Sequence, residues 1–190
     1  MTTPPRVPIA LLDANVLYGQ FIRDVLLRLA NAAFFQPRWT DRIQREWMEN
    51  LAANRPELLD KIERVRDLME FRFPRARVTG YRGIERSLTS VDPKDRHVAA
   101  AAIRARASHL VTFNLRHFPH EALEPYSVVP IHPDDFVSEL VVENGPTILA
   151  ALERHRLDMS RPSYTPAMYH AAFIRAGLER SAALLPAPAD

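Results

Sequence analysis

Val7-Pro8-Ile9-Ala10-Leu11-Leu12-Asp13 is an uncharged, mostly apolar run that stops at a carboxylate. A short segment of this kind reads as a buried strand of a parallel sheet. Arg75-Ala76-Arg77-Val78-Thr79, His109-Leu110-Val111-Thr112-Phe113 and Ser127-Val128-Val129-Pro130-Ile131 read as three more strands. Helical patterns lie between them. After Asp13, the residues Leu17, Phe21, Val25, Leu26 and Leu29 recur at helical spacing, with Asp13 or Asn15 as the cap. Arg38-Trp39-Thr40-Asp41 starts a second helix reaching about Ala53, with Thr40 as N-cap and Asp41 in the first turn. Pro56 opens a third, carrying Leu58, Leu59, Ile62, Val65, Leu68 and Met69. Strands separated by helices of this length predict an α/β domain with a parallel sheet, whose sites form outside the carboxyl ends of the strands. Asp13 and Asn114 fall at such ends.

Past Pro133 the pattern is helical, with segments near 134–142, 147–156, 166–176 and 178–185. Thr165 caps the third of these, Pro166 fills its first position and Gly177 ends it. The expected organisation is one domain over residues 1–136 and a C-terminal helical extension over 137–190, frayed after Leu185.

At 190 residues and 47% hydrophobic, the chain can bury a core of ordinary size. It has no cysteine, which excludes disulfides, thiolate–zinc sites and cysteine nucleophiles. The apolar run before Asp13 is too short for a signal peptide, and nothing approaches a membrane span. A cytoplasmic protein with no membrane partner is therefore expected. The net charge of +2 does not by itself point to nucleic acid. Lys61 and Lys94 are the only lysines. Arginine suits bidentate phosphate contacts, but a genome that favours arginine codons explains the same bias.

A second stretch carries the chemistry. Asp92-Pro93-Lys94-Asp95-Arg96-His97 leads into Val98-Ala99-Ala100-Ala101-Ala102-Ile103. Asp-Pro-x-Asp resembles a capping box, with Asp92 as N-cap, Pro93 at the first helical position and Asp95 reaching back. At about 100° per residue, Asp95 then aligns with Ala99, Ala102 and Arg106 on the face expected to be buried. A charge there needs a partner or a metal. Asp13 reads as a cap or as a ligand, and Asn15 could take the cap in its place. Glu46 lies at the edge of the apolar face formed by Ile43, Trp47, Met48 and Leu51, and alone reads as a solvated helix acid. His117 and His120 have metal-like spacing, but Pro119 breaks the helix that would align them, so they read as a surface loop. His97 points elsewhere on its helix than Asp95 and packs or meets substrate. No Ser-His-Asp arrangement, Gly-rich phosphate loop or HExxH motif is present.

Leu11-Leu12-Asp13-Ala14-Asn15-Val16-Leu17-Tyr18, the helix with Glu46, Asp95-Arg-His-Val-Ala-Ala-Ala-Ala and Val111-Thr112-Phe113-Asn114-Leu-Arg-His-Phe together resemble the PIN domain. In particular, they resemble the VapC-type toxins of toxin–antitoxin pairs. The resemblance spans about Ile9 to Phe136, in order and with suitable spacing. It implies a three-layer fold, a central mainly parallel sheet flanked by helices, with the C-terminal helices added. It also implies Mg²⁺- or Mn²⁺-dependent endoribonuclease activity, with RNA as substrate and an antitoxin protein as partner, and is compatible with a homodimer.

By motif, the resemblance carries Asp13, Glu46 and Asp95 as metal ligands, with Asp92 as a further ligand if it does not cap its helix. Thr112 and Asn114 occupy the family's Thr-x-Asp/Asn position, Thr112 to hydrogen-bond an acid and Asn114 to position a water or ligand. Asn114 stands where many relatives have a fourth carboxylate. Arg38, Arg42, Arg96 and Arg116 flank these motifs and are the expected RNA contacts. A PIN-like module that binds protein or RNA without efficient catalysis is the alternative that Asn114 keeps open. A phosphotransfer domain is disfavoured, because Asp13-Ala14-Asn15 lacks the second Asp of the haloacid-dehalogenase signature.

Overall fold

A computed structural model describes residues 7–160 and 162–187. Four short strands, β1 (Ile9–Leu12), β2 (Gln36–Arg38), β3 (His109–Val111) and β4 (Val129–Ile131), form one sheet in the order β2-β1-β3-β4. Every pairing is parallel, with Leu11 opposite Arg38 on one side and Leu110 on the other. Helices α1 (Ala14–Tyr18) and α2 (Gln20–Asn31) connect β1 to β2. Four more, α3 (Asp41–Asn54), α4 (Leu59–Arg72), α5 (Arg82–Glu85) and α6 (Arg96–Arg104), precede β3. The short α7 (His120–Leu123) leads to β4, and α8 (Pro133–Asp158), α9 (Pro166–Arg175) and α10 (Glu179–Ala183) follow it. Residues 188–190 of the expected frayed tail lie outside the described residues.

Two strand assignments differ from the sequence reading. The segment at Gln36–Arg38, of which the sequence reading takes only Arg38, at the start of a helix, is β2. The expected strand at 75–79 contributes only a bridge, in which Trp39 N donates to Ala76 O (3.0 Å) and Val78 N to Trp39 O (2.8 Å). Pro37 disguised β2. Gln36 N donates to Pro8 O (2.8 Å), so the neighbouring Pro37 nitrogen faces away from β1, where a missing N–H breaks no ladder bond. The first helix is also split, because Gly19 adopts an extended conformation between α1 and α2.

The chain moves outward from β1 to β2 and the 76–78 bridge, then returns past β1 to β3 and β4. With right-handed crossovers these opposite movements place α2–α4 on one face and α6–α7 on the other. Arg23 of α2 stacking over Trp47 of α3 at 4.7 Å agrees with the first placement. The direction reverses between β1 and β3, so a crevice opens at their carboxyl ends. On the second face, α6 packs against β1 and β3 with His97, Val98 and Ala99–Ala102 all buried. Four consecutive alanines let its backbone approach the sheet closely.

The C-terminal unit is fastened to α2 and to the start of α8. Phe21 meets Tyr169 and Phe173 edge-on at 5.7 and 5.4 Å. The buried Asp134 carboxylate accepts from Arg180 N, Ser181 N and Ser181 Oγ, capping α10. α8 is two helical segments joined where Gly145 leaves helical geometry (φ 50°, ψ −129°), ahead of Pro146. It runs unbroken through the expected boundary at 136/137. Among the described residues, no helix is long and apolar enough to cross a membrane.

Candidate active site

Asp13 follows β1 directly and caps α1, its Oδ1 accepting from Ala14 N (2.6 Å). Its own N–H donates to Val111 O (3.1 Å), which ties the ends of β1 and β3 together. Oδ2 accepts from the Thr112 hydroxyl (2.7 Å) and from Asn15 Nδ2 (2.7 Å). Capping and site geometry are thus one arrangement rather than rival readings. Burial pushes the Asp13 carboxyl up to about 6, against the lowering by Thr112 and Ala14 N–H. The nearby Asp95 charge adds to the rise and His97 opposes it.

Thr112 is fully buried and its hydroxyl is saturated. It donates to Asp13 and accepts from Asn15 Nδ2 (3.0 Å) and Asn114 N (3.0 Å). Asn15 also accepts from Phe113 N (3.2 Å), so it joins both strand ends. Sequence reasoning treated Asn15 only as a cap. Its position two residues after Asp13, at a strand end, was the available signal.

Glu46, on α3, accepts from Arg42 Nε (3.0 Å) one helical turn away. On its other side His97 Nε2 stands 3.3 Å from Glu46 Oε1. Burial would raise the Glu46 carboxyl, but His97 and Arg42 outweigh it and hold it below the usual range. His97 is 1% exposed, and neither ring nitrogen has an aligned hydrogen-bond partner among the described residues. It therefore faces an acid of the site.

The Asp92–Asp95 stretch differs from its expected form. α6 begins at Arg96, and Asp95 stands at the N-cap position with no side-chain cap bond. Asp92 Oδ1 accepts from Lys94 N (2.9 Å), a local turn that replaces the expected helix start. Asp95 is consequently not on the buried helix face. Its side chain is 24% exposed and its Oδ2 lies 2.7 Å from His117 Nδ1. His117 thus pairs with a site acid instead of lying idle in a loop.

Of the four flanking arginines, two bind, among the described residues, only backbone carbonyls or a neutral side chain of their own chain. Arg96 donates to the carbonyls of Val91 (3.2 Å) and Thr89 (3.1 Å), and Arg38 to Pro37 O (2.8 Å) and Gln36 Oε1 (3.1 Å). Arg42 is shared between Glu46 and Lys94 O (3.4 Å). Arg116 is exposed, and among the described residues its side chain has only His117 Nε2 at 3.3 Å.

Two family models match the chain. One described as "PIN domain" matches residues 10–116, and one described as "VapC50 C-terminal domain" matches residues 133–187. A protein of Mycobacterium tuberculosis (strain ATCC 25618 / H37Rv) named "Putative ribonuclease VapC50" is 61% identical over 44 residues. That alignment covers 23% of this chain and 26% of the relative, so the chain spans about a quarter of the relative it matches. No solved structure matches the chain.

Proposed function

This chain belongs to the PIN-domain family, and on that premise we propose that it is a Mg²⁺- or Mn²⁺-dependent endoribonuclease, the toxin of a toxin–antitoxin pair. The observation that carries the reading is the position of Asp13. Its carboxylate is clamped by Thr112 across the β1/β3 crevice, within reach of the Asp95 charge. The ribonuclease in the relative's name and the match to its C-terminal domain support the same reading.

The donor chemistry fits a hard divalent ion. Asp13, Glu46 and Asp95 offer carboxylate oxygens, Asn114 an amide, and the chain has no thiol. Among the described residues no three His, Asp or Glu side chains stand close enough to chelate one ion. Glu46 is turned to His97 and Arg42, and Asp95 to His117. When bound, the ion would supply charge stabilisation at the phosphodiester and an activated water. Asp13 is oriented by Thr112 and Asn15 and is ionised above about pH 6. Asp13, Glu46 and Asp95 would hold the ion, with His97 kept behind Glu46 as its support, and Arg42 would be available to the substrate phosphate. Asn114 orients water from the end of β3. Arg116 and Arg42 are the RNA contacts this geometry favours over Arg38 and Arg96.

One observation favours a second reading, a binding module with weak chemistry. Glu46 and Asp95 already have partners, and Asn114 adds no charge. A single assay separates the two: total RNA incubated with wild type, Asp13→Asn and Asp95→Asn in Mg²⁺, Mn²⁺ or EDTA. Cleavage by wild type alone, lost in EDTA, supports the nuclease. RNA binding without metal-dependent cleavage by wild type supports the module.

A further inference from the structure

Helix α9 of the C-terminal unit forms one side of a cavity of about 450 Å³. Asn15 and Tyr18 of α1, Phe113 after β3, Tyr164 and Arg175 are among the residues that line it. Arg175 is the only charged lining residue, is exposed, and has no carboxylate partner among the described residues. Asn15 connects this cavity to the site. Its Nδ2 lies 2.7 Å from Asp13 Oδ2, so an occupant is one side chain away from that candidate ligand.

The walls are built in advance. The Phe113 ring stands edge-on to His132 at 5.1 Å. Gly177, at φ 76°, lies behind it, where a Cβ would meet the ring at an ordinary contact distance of 3.6 Å. The Phe21–Tyr169–Phe173 contacts hold α9, and Asp134 holds α10 behind it.

Two of the polar groups of these walls, those of Asn15 and Tyr18, are already committed. Asn15 is spent on Asp13, Thr112 and Phe113 N, and the Tyr18 hydroxyl accepts from Asn54 Nδ2 (3.1 Å). A peptide backbone entering here would find few partners for its N–H and C=O groups, at a high desolvation cost. A nucleobase presents a π-face that asks for none, and aromatic side chains beside one cation are the usual platform for single-stranded nucleic acid.

We propose that this cavity is a nucleotide subsite for single-stranded RNA, taking the base next to the scissile phosphodiester against its aromatic walls and one phosphate on Arg175. The proposal rests on the ribonuclease reading and gives the C-terminal unit a role, since α9 completes the subsite.

The test uses the full chain and a fluorescein-labelled single-stranded RNA of mixed sequence, with Ca²⁺ in place of Mg²⁺ and binding followed by anisotropy across a salt series. Arg175→Ala is expected to weaken binding and to lower the salt slope by about one. Phe113→Ala is expected to weaken it by roughly 5- to 150-fold with the salt slope unchanged. A 4-thiouridine probe should photocross-link to peptides carrying Tyr18, Phe113 or Tyr164, a readout that needs no variant. If wild type binds and cleaves RNA while both variants bind as wild type and the cross-links map elsewhere, the subsite is overturned and the nuclease reading stands. If wild type neither binds nor cleaves RNA, both fall. A protein segment cross-linked in this cavity, with RNA affinity intact in Arg175→Ala, also overturns it.

Discussion

His97 Nε2 stands 3.3 Å from Glu46 Oε1 inside a helix otherwise packed with alanine. A polar ring buried in that setting is costly unless something uses it. Among the described residues, Glu46 is the one acid paired with it. Holding Glu46 at the crevice is therefore the role assigned to His97, as a positioning residue behind a candidate ligand.

His97→Leu should lower cleavage and Mn²⁺ affinity by roughly 10- to 100-fold, the usual cost of losing a group behind a metal ligand. His97→Gln, which keeps an N–H within reach, should restore most of both. The measurements are kcat/KM on a defined RNA and Mn²⁺ titration. Equal Mn²⁺ affinity in wild type and His97→Leu would contradict the role.

Asp13 sets a pH dependence with a definite sign. Its native carboxyl titrates near 6 against an ordinary 3.8, so between those values the folded protein holds a proton that the unfolded chain has lost. Stability from this group is fully present below about pH 4 and falls as pH rises to about 6, by about 3 kcal/mol. Denaturant unfolding of wild type relative to Asp13→Asn should show this decline, and a flat difference would refute it. Mn²⁺ competes with that proton, so its affinity should fall about tenfold per pH unit below about pH 6.

Thr112→Val keeps the shape of the side chain and removes the hydroxyl that three groups share. The loss should cost about 1–3 kcal/mol, because Asp13 and Asn114 N each lose a partner. It should also raise the Asp13 carboxyl further, since the Thr112 bond lowers it. Thr112→Ser should retain most of both. Unfolding curves and the pH dependence of Mn²⁺ binding read the two effects separately.

Asp134→Ala tests how the C-terminal unit is attached. It removes the acceptor for Arg180 N, Ser181 N and Ser181 Oγ, at a cost of about 2 kcal/mol or more. Hydrogen exchange should speed up in α10 before the sheet is affected. Unchanged exchange there would mean that the unit is held by its apolar contacts alone.

Much of the fold could be read along the chain, because the decisive signals are local. Val7–Leu12 and His109–Thr112 showed buried strands ending in polar residues, and the C-terminal helix limits at Thr165, Pro166 and Gly177 follow from backbone geometry. Gln36–Arg38 escaped because the cost of Pro37 depends on which side its partner strand lies. The helix expected from Asp92 begins instead at Arg96, since the Asp92 carboxylate closes a turn on Lys94 N.

The order of acids along the chain, Asp13, Glu46 and Asp95, is a property of sequence, and local signals place Asp13 and Asp95 at element ends and Glu46 within a helix. Their partners are not. His97 on Glu46, His117 on Asp95, and Thr112 on Asp13 and Asn15 come from contacts between elements far apart in the chain. The same holds for Phe113 facing α9. Side-chain type and spacing are local quantities, whereas which groups meet depends on crossover direction and on how closely the alanine helix approaches the sheet. Those are settled only when the layers pack.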